Sequence, residues 1–502
     1  MRRIHELIAS NSPDVTAVIG HDGRAFTYAE LHDATRELTE QLRLHGIRQG
    51  DRVVVVAENC VAFVSTMLAL SHLDAVTIPV NARLTGSEIQ RIADHADARC
   101  LLLTSDASDI ARDHAAAFGA VTLEKLSAGS LAITPLRSVS PEHIPRDASH
   151  TAVLMYTSGT TGAPKGVMLS HGNLLFSVPV GARLRALIPE DIVLGLLPCT
   201  HIFGLTSVVL APLSVGARLI LMQRFDVEVT LDHLRDGVTV LPAVPQIYIA
   251  LLNRLRESSD TFRHALRFAY AGGAPMLPSV KKAVEETLGV PLHNGYGLTE
   301  AAPSVAATRA GAPRDDGSVG PALDGVEVHV ERPNADGIGE ILVRGPNVTK
   351  GYFRQPEATQ AATTKEGFLR TGDLGRMGRD GELYLVGRLK ELIIHSGFNV
   401  YPPEVETALT SHPAVELAAV VGRASNGNED VIAFITLNTP LTEDNLRSWC
   451  RERLAAYKVP ARIFVLESMP QAATGKILKH QLLADLGDSF EDQGTLENCA
   501  DE

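Results

Sequence analysis

The sequence predicts an α/β protein with a large N-terminal domain of two α/β subdomains plus a small β-rich subdomain, followed by a small α+β C-terminal domain. Three observations lead there. Short continuous apolar runs, such as Val-Val-Val-Val-Ala at 53–57, alternate with segments of helical length through the first half; such runs suit strands buried on both faces. Near 326–343 the pattern changes to short strands with glycine-rich turns. A fresh alternation starts after Gly387-Arg388-Leu389-Lys390. At 502 residues the chain is too long for one compact core.

In chain order, 53–57 reads as a strand, 60–71 as a helix and 75–80 as a strand. Thr85-Gly86-Ser87-Glu88 has capping-box spacing, which predicts a helix from there to about His95. The run 100–103 (CLLL) is a further strand. Later strands are expected at 152–156, 192–197, 218–222, 238–241 and 267–270, with helical segments between most of them. That order implies largely parallel sheets. Short strands follow at 326–330 and 340–343. Beyond residues 387–390 lies a segment of small-domain size with a βαββαβ-like rhythm. Pro402-Pro403 opens a helix, where proline is tolerated; 415–421 and 431–437 read as strands and 441–454 as a helix. The stretch 488–502 is acidic, lacks apolar periodicity and predicts a disordered tail. No internal repeat or low-complexity block is evident.

The net charge of −13 argues against a general nucleic-acid binder, which needs a basic face to displace counterions. Hydrophobic residues make up 45% and charged residues 21%, as in soluble globular proteins. Cys60, Cys100, Cys199, Cys450 and Cys499 are scattered with no CxxC spacing, so neither a disulfide framework nor a zinc site is indicated. Glu6, Asn11 and Asp14 interrupt the start, and the longest apolar stretch, 61–80, is cut by His72 and Asp74. A buried helix and strand explain that stretch better than a membrane span. A cytoplasmic protein is expected; its oligomeric state is not legible.

The sharpest local feature is Tyr156-Thr157-Ser158-Gly159-Thr160-Thr161-Gly162-Ala163-Pro164-Lys165-Gly166, directly after a predicted strand. Glycines permit close backbone approach, successive N–H groups form an anion nest, and a lysine stands at the end. Such a loop can wrap a polyphosphate, although a solvated Ser/Thr/Gly turn has the same composition. Walker A spacing is absent. Further on come Ala271-Gly272-Gly273-Ala274-Pro275, Tyr296-Gly297-Leu298-Thr299-Glu300, Thr371-Gly372-Asp373, Gly387-Arg388-Leu389-Lys390-Glu391 and Ala473-Thr474-Gly475-Lys476. Together and in this order they resemble the motifs of the adenylate-forming superfamily, which holds acyl-CoA synthetases, luciferases and peptide-synthetase adenylation domains. The likeness spans roughly residues 10–485 and is greatest to bacterial-type acyl-CoA synthetases.

The resemblance implies an AMP-binding adenylation domain at 1–386, a hinge at 387–390 about Lys390, a mobile C-terminal domain at 391–486 and an acidic tail at 487–502. It implies ATP, Mg2+ and CoA as the small molecules used. Thr157, Ser158, Gly159, Thr160, Thr161, Gly162 and Lys165 would hold the phosphates. Glu300 and Thr160 would take the metal, a hard cation that suits oxygen donors. Gly272, Gly273, Ala274, Pro275, Tyr296 and Gly297 would border adenine, and Thr299 the α-phosphate. Asp373 would bind ribose, and Arg388 would make a second contact, with ribose or phosphate. Lys476 would act on the developing charge of the first half-reaction, so the implied catalytic set is Lys476, Glu300, Thr160 and His201. Ser396, Gly397 and Phe398 would line the path of the pantetheine arm.

His201 lies in Pro198-Cys199-Thr200-His201-Ile202-Phe203-Gly204-Leu205, similar to a family segment bordering the acyl site. Gating and packing roles both fit, and Cys199 departs from the aromatic frequent at its position. His201, Phe203, Val244, Tyr248, Gly272, Gly295 and Leu298 are the expected pocket. These are mostly small or apolar, and no cation is evident near them in the sequence. A monocarboxylic acid with an apolar body follows, fatty, alicyclic or aryl, activated to acyl-AMP and transferred to CoA. Transfer to a carrier-protein pantetheine and a catalytically inactive scaffold are the competing readings. The short interval between Glu340 and Asp373 favours CoA, and the intact charged set disfavours the scaffold.

Overall fold

The structure, a computed structural model, describes residues 3–123, 126–145, 147–157, 165–257, 262–425, 428–471 and 477–484. By internal contacts the chain divides into two units. The first holds Met1–His329, Leu342–Thr371 and Arg379–Leu383; the second holds Val330–Ile341, Gly372–Gly378 and Tyr384–Glu502. The expected tail at 487–502 lies outside the described residues.

The first unit is built on two sheets. One has seven strands, in the order Val121–Leu123, Leu131–Ile133, Cys100–Leu103, Arg52–Ala57, Val76–Asn81, Thr151–Thr157, Lys165–Ser170. The other has eight, in the order Ser304–Ala307, Leu292–Gly297, Phe268–Ala271, Val240–Ala243, Ile192–Gly195, Arg218–Leu221, Thr16–Ile19, Ala25–Thr27. The central pairings of both sheets are parallel, as strand–helix alternation requires, and the antiparallel pairs lie toward the edges, the last two pairs at the Val121–Leu123 end of the seven-stranded sheet included. Arg52–Ala57 is buried along its whole length, which explains its unbroken valines. The helix Val61–His72 is buried from Val61 to Ser71 and joins the main core. Thr85 caps the helix Gly86–His95: Glu88 N–H donates to Thr85 Oγ1 at 3.3 Å, and Thr85 N–H to Glu88 Oε2 at 2.8 Å.

Two strand boundaries differ from expectation for identifiable reasons. The strand expected at 192–197 stops at Gly195. The Asn59 amide donates to the carbonyls of Gly195 (3.2 Å), Leu197 (2.9 Å) and Met222 (3.0 Å), and its Oδ1 accepts from Cys199 N–H at 2.8 Å. One side chain thus ties down the two segments that leave the sheet. The strand expected at 238–241 is Val240–Ala243. Gly237, at φ +107°, turns the chain, and Val238 N–H closes the preceding helix onto His233 O at 3.1 Å.

The second unit holds the three-stranded sheet Val415–Ser425, Asn428–Leu437, Arg462–Val465. The helices Pro402–Thr410 and Glu443–Arg451 contribute Val405, Leu409, Leu446 and Cys450 to its core. The hairpin strands run beyond the expected 415–421 and 431–437. Their outer pairs, such as Arg423 with Asp430, are polar and carry no apolar signal. The helix expected at 441–454 is shorter because Thr442 caps it, accepting from Asn445 N–H at 3.4 Å. A four-stranded sheet in the order Glu327–Glu331, Gly339–Arg344, Leu369–Met377, Leu383–Arg388 is the β-rich part of the chain.

A buried polar cluster anchors the N-terminal turn Ile4–Ile8. His171 Nδ1 accepts from Ile4 N–H at 3.1 Å and its Nε2 lies 3.1 Å from His150 Nε2. Asp74, Arg3 and Lys350 face this pair, Asp74 being ion-paired to Arg3, and His5 stacks on His72. Burial holds the pKa of both His150 and His171 well below the ordinary histidine value. The unfolded chain therefore binds protons first as pH falls through about 6.5, and folded-state stability drops from there downward. The thermal midpoint is expected to be flat above pH 7 and to fall steadily toward pH 4.5, with a shallower fall in His150→Gln. A midpoint independent of pH over that interval would exclude the two histidines as the cause.

Candidate active site

The antiparallel pair Thr151–Thr157 and Lys165–Ser170 places Thr157 opposite Lys165. Ser158, Gly159, Thr160, Thr161 and Gly162, with Ala163 and Pro164, lie outside the described residues. At the root of this hairpin the Tyr156 hydroxyl and His95 Nδ1 are 2.7 Å apart, and burial raises the phenol pKa. Tyr156 therefore acts as the O–H donor, which fixes the end of its strand against the helix Gly86–His95.

Backbone links then gather three side chains beside the hairpin. Phe353 N–H bonds to Gly166 O at 2.8 Å, and Met168 N–H to Gly351 O at 3.0 Å. Thr349 N–H bonds to Glu300 O at 2.7 Å. As a result the Tyr352 hydroxyl donates to Glu300 Oε1 at 2.9 Å, and Lys165 Nζ stands 5.1 Å from the Tyr352 ring centroid. Burial and the Glu300 charge both push the Tyr352 pKa up, so this phenol stays a donor. One tyrosine thus carries a carboxylate at its hydroxyl and an ammonium over its ring face. Tyr352→Phe is expected to lower turnover roughly three- to tenfold, since a hydrogen bond to a charged group is lost without loss of the ring. Steady-state turnover at saturating substrates checks this, and an unchanged value would make the bond incidental.

Glu300 sits in the turn Thr299–Ala301, after the strand Leu292–Gly297. Gly297 is required by space: a Cβ there would lie 2.3 Å from Pro303 O. Leu298 N–H bonds that same carbonyl at 2.9 Å, and Tyr296 and Thr299 are buried.

The expected acyl-pocket residues fall into two groups. A Cβ on Gly272 would lie 3.4 Å from the Phe203 ring and 3.8 Å from Gly295 O, and one on Gly273 would lie 3.7 Å from Val244. Phe203, Gly272, Gly273, Gly295 and Val244 therefore share one region, with Ala274 and Pro275 following on the chain. Tyr248 is fully buried, and its hydroxyl donates to Leu241 O (2.8 Å) and Tyr270 O (3.2 Å), a packing arrangement. His201 Nδ1 accepts from Phe203 N–H at 3.3 Å, and burial lowers its pKa to about 4. The ring is neutral at physiological pH with its proton on Nε2.

In the second unit Arg388 Nε donates to Asp373 Oδ1 at 2.9 Å. Gly372, at φ +70°, precedes that carboxylate, and its N–H bonds to Glu340 Oε1 at 3.1 Å. Lys390 lies in the turn Leu389–Glu391. Ser396 and Gly397, both at positive φ, form the tip between Ile393–His395 and Phe398–Val400, and the exposed Phe398 stacks on Tyr457 at 4.6 Å. Lys476 lies outside the described residues. Lys479, three positions on, bonds to Glu391 (3.0 Å) and Glu406 (2.8 Å). Burial pulls its pKa down, but the two carboxylates carry it above the ordinary value.

The profile of the AMP-binding enzyme family matches residues 6–353, and that of the AMP-binding enzyme C-terminal domain matches residues 404–476. The chain belongs to the adenylate-forming acyl-CoA synthetase superfamily. It is 33% identical over 498 residues to 4-coumarate–CoA ligase 3 of Oryza sativa subsp. japonica, covering 94% of this chain and 89% of that one. It is 34% identical over 484 residues to a 2-succinylbenzoate–CoA ligase of Bacillus cereus, covering 94% and 95%. The ATP-bound MatB structure from Rhodopseudomonas palustris superposes with a TM-score of 0.87 at 29% identity, covering 98% and 100%. This superfamily member is accordingly an AMP-forming acid–thiol ligase, of the acyl/aryl-CoA ligase kind. Among its described residues no helix is long and apolar enough to cross a membrane.

Two residues bonded to the motif side chains escaped the sequence reading: Tyr352 and His95. Tyr352 and His95 act through partners 52 and 61 positions away, so no local spacing marks them. Outside the expected pocket residues, the guanidinium of Arg185 lies over the Tyr270 ring, 4.4 Å from its centroid.

Proposed function

We propose that the protein uses ATP to convert an acid with an apolar body, fatty, alicyclic or aryl, into an acyl-adenylate with release of pyrophosphate, and then transfers the acyl group to CoA with release of AMP. The observation that carries this reading is the fixing of Lys165 and Glu300 through Tyr352 at the root of the glycine-rich hairpin. A carboxylate is a poor electrophile, and its attack on ATP brings two anions together. Lys165, Thr157 and the Ser158-Gly159-Thr160-Thr161-Gly162 run would neutralise and hold the departing phosphates.

Glu300 fits a hard divalent cation. Tyr352 donates to Oε1 and not to Oε2, and oxygen donors suit magnesium. Glu300, with Thr160, would hold that ion, which supplies charge neutralisation on the phosphates when bound. Tyr296 and the Gly272-Gly273-Ala274-Pro275 run would take adenine, Thr299 the α-phosphate, and Asp373 with Arg388 the ribose. Lys476 would bridge carboxylate and α-phosphate as charge develops. For the second step we assign residues 387–390, about Lys390, as a hinge between an adenylation domain at 1–386 and a mobile domain at 391–486. Ser396, Gly397 and Phe398 would then border the pantetheine arm. Neutral His201 would close off the acyl site, using its Nε2–H as a donor. A reducing cytoplasm suits the free, buried Cys60, Cys100, Cys199 and Cys450.

An AMP-release assay over fatty and aromatic acids, with and without CoA, tests the reading. CoA-dependent turnover with at least one apolar-bodied acid supports it, and AMP release that never requires a thiol would reject the ligase step. Within that panel Gly272→Val is expected to lower kcat/KM for bulky acids roughly 10- to 100-fold relative to propionate, because the added methyls meet the Phe203 ring. A uniform change across acid sizes would show that Gly272 does not border the acyl group.

A further inference from the structure

The strand Leu369–Met377 is bent at one place. Gly372 stands inside it at φ +70°, a left-handed residue in an extended element. A Cβ there would meet nothing within 4 Å, so conformation and not space calls for glycine. A left-handed glycine bends a strand and disturbs its ladder locally. The Gly372 N–H goes instead to a side chain, donating to Glu340 Oε1 at 3.1 Å.

The residue after the bend is Asp373, which is buried. Side chains alternate across a strand, so the bend decides which way this carboxylate points. In the sheet order its strand lies between Gly339–Arg344 and Leu383–Arg388. Each flanking strand contributes one group. Glu340 takes the Gly372 N–H from one side, and Arg388 Nε donates to Asp373 Oδ1 at 2.9 Å from the other.

The two groups do different work. The guanidinium balances the charge of Asp373; Glu340 fixes the backbone from which Asp373 projects. Glu340 is itself held firmly. Its strand packs so closely on Glu327–Glu331 that a Cβ at Gly339 would lie 2.2 Å from Glu331 O. Without the Glu340 acceptor the bend is free to relax toward extended backbone. A one-residue slip in a strand turns a side chain to the opposite face.

We propose that Glu340 is a positioning residue for nucleotide selection: by holding the bend at Gly372 it points Asp373 at the ribose hydroxyls, and so sets the preference for a ribonucleotide. This rests on the ribose reading of Asp373 and deepens it. Affinities for ATP and for 2′,3′-dideoxy-ATP, measured by calorimetry on the full-length protein with magnesium and without acid, test it. The wild-type protein is expected to favour ATP at least about tenfold, since the analogue leaves the carboxylate without either hydroxyl. Glu340→Ala is expected to reduce that preference at least about fivefold, through weaker binding of ATP. Glu340→Gln keeps an acceptor oxygen at the same reach and should stay within about twofold of wild type.

Gly372→Ala leaves the Glu340 carboxylate in place but opposes the left-handed conformation. It should reduce the preference likewise, and it decides the matter if Glu340→Ala fails to fold. A merely structural role would weaken both nucleotides alike and leave their ratio unmoved. An unmoved ratio in Glu340→Ala, or in Gly372→Ala where the former does not fold, overturns the assignment, as does a Glu340→Gln protein as impaired in that ratio as Glu340→Ala. A wild-type ratio near one, or one that Asp373→Ala leaves unmoved, overturns the ribose reading of Asp373 itself, and the role of Glu340 with it.

Discussion

Lys476→Ala protein is expected to lose acid-dependent exchange of pyrophosphate into ATP by roughly two to three orders of magnitude, yet to make acyl-CoA from supplied acyl-adenylate at a rate within a few fold of wild type. The asymmetry follows from where charge appears. In the first half-reaction negative charge builds on the α-phosphate while a carboxylate approaches it, and a compact ammonium on a flexible stem can meet both. In the second, a thiol attacks a carbonyl already bearing its leaving group. Lys479, three positions on in the sequence, is bound to Glu391 and Glu406. Equal loss in the two assays would show that Lys476 does not serve adenylation in particular.

Glu300→Gln is expected to lower overall turnover at least about a hundredfold, with the deficit present at every magnesium concentration tried. The substitution preserves side-chain volume and leaves Tyr352 an oxygen to donate to, so the effect isolates the negative charge. That charge matters because the nearby Lys165, in the proposed role, would hold phosphate but not the counter-cation the phosphates bring. Near-normal turnover in Glu300→Gln would mean that the carboxylate merely anchors Tyr352. In that case Tyr352→Phe and Glu300→Gln should look alike, and the double variant should be no worse than either.

The fold was legible wherever a strand is buried on both faces. Arg52–Ala57 and Cys100–Leu103 are apolar end to end and read directly from sequence. Boundaries failed where a distant side chain or a cap overrides the run, as Asn59 does after Gly195 and Gly237 does before Val240. The candidate phosphate and nucleotide residues stand out in the sequence because they cluster in short glycine-containing motifs, in which backbone approach dictates residue type. Tyr352 does not. Its partner Glu300 lies far off in sequence, and a tyrosine in that segment has an ordinary surface role as its default.

The most direct measurement is exchange of labelled pyrophosphate into ATP by the full-length protein, with magnesium and without CoA, over a panel of carboxylic acids. Exchange that appears only when an acid is added, and is abolished in Lys476→Ala, is the predicted result. Exchange independent of acid, or none with any acid while the protein is folded and binds ATP, would contradict the formation of an acyl-adenylate.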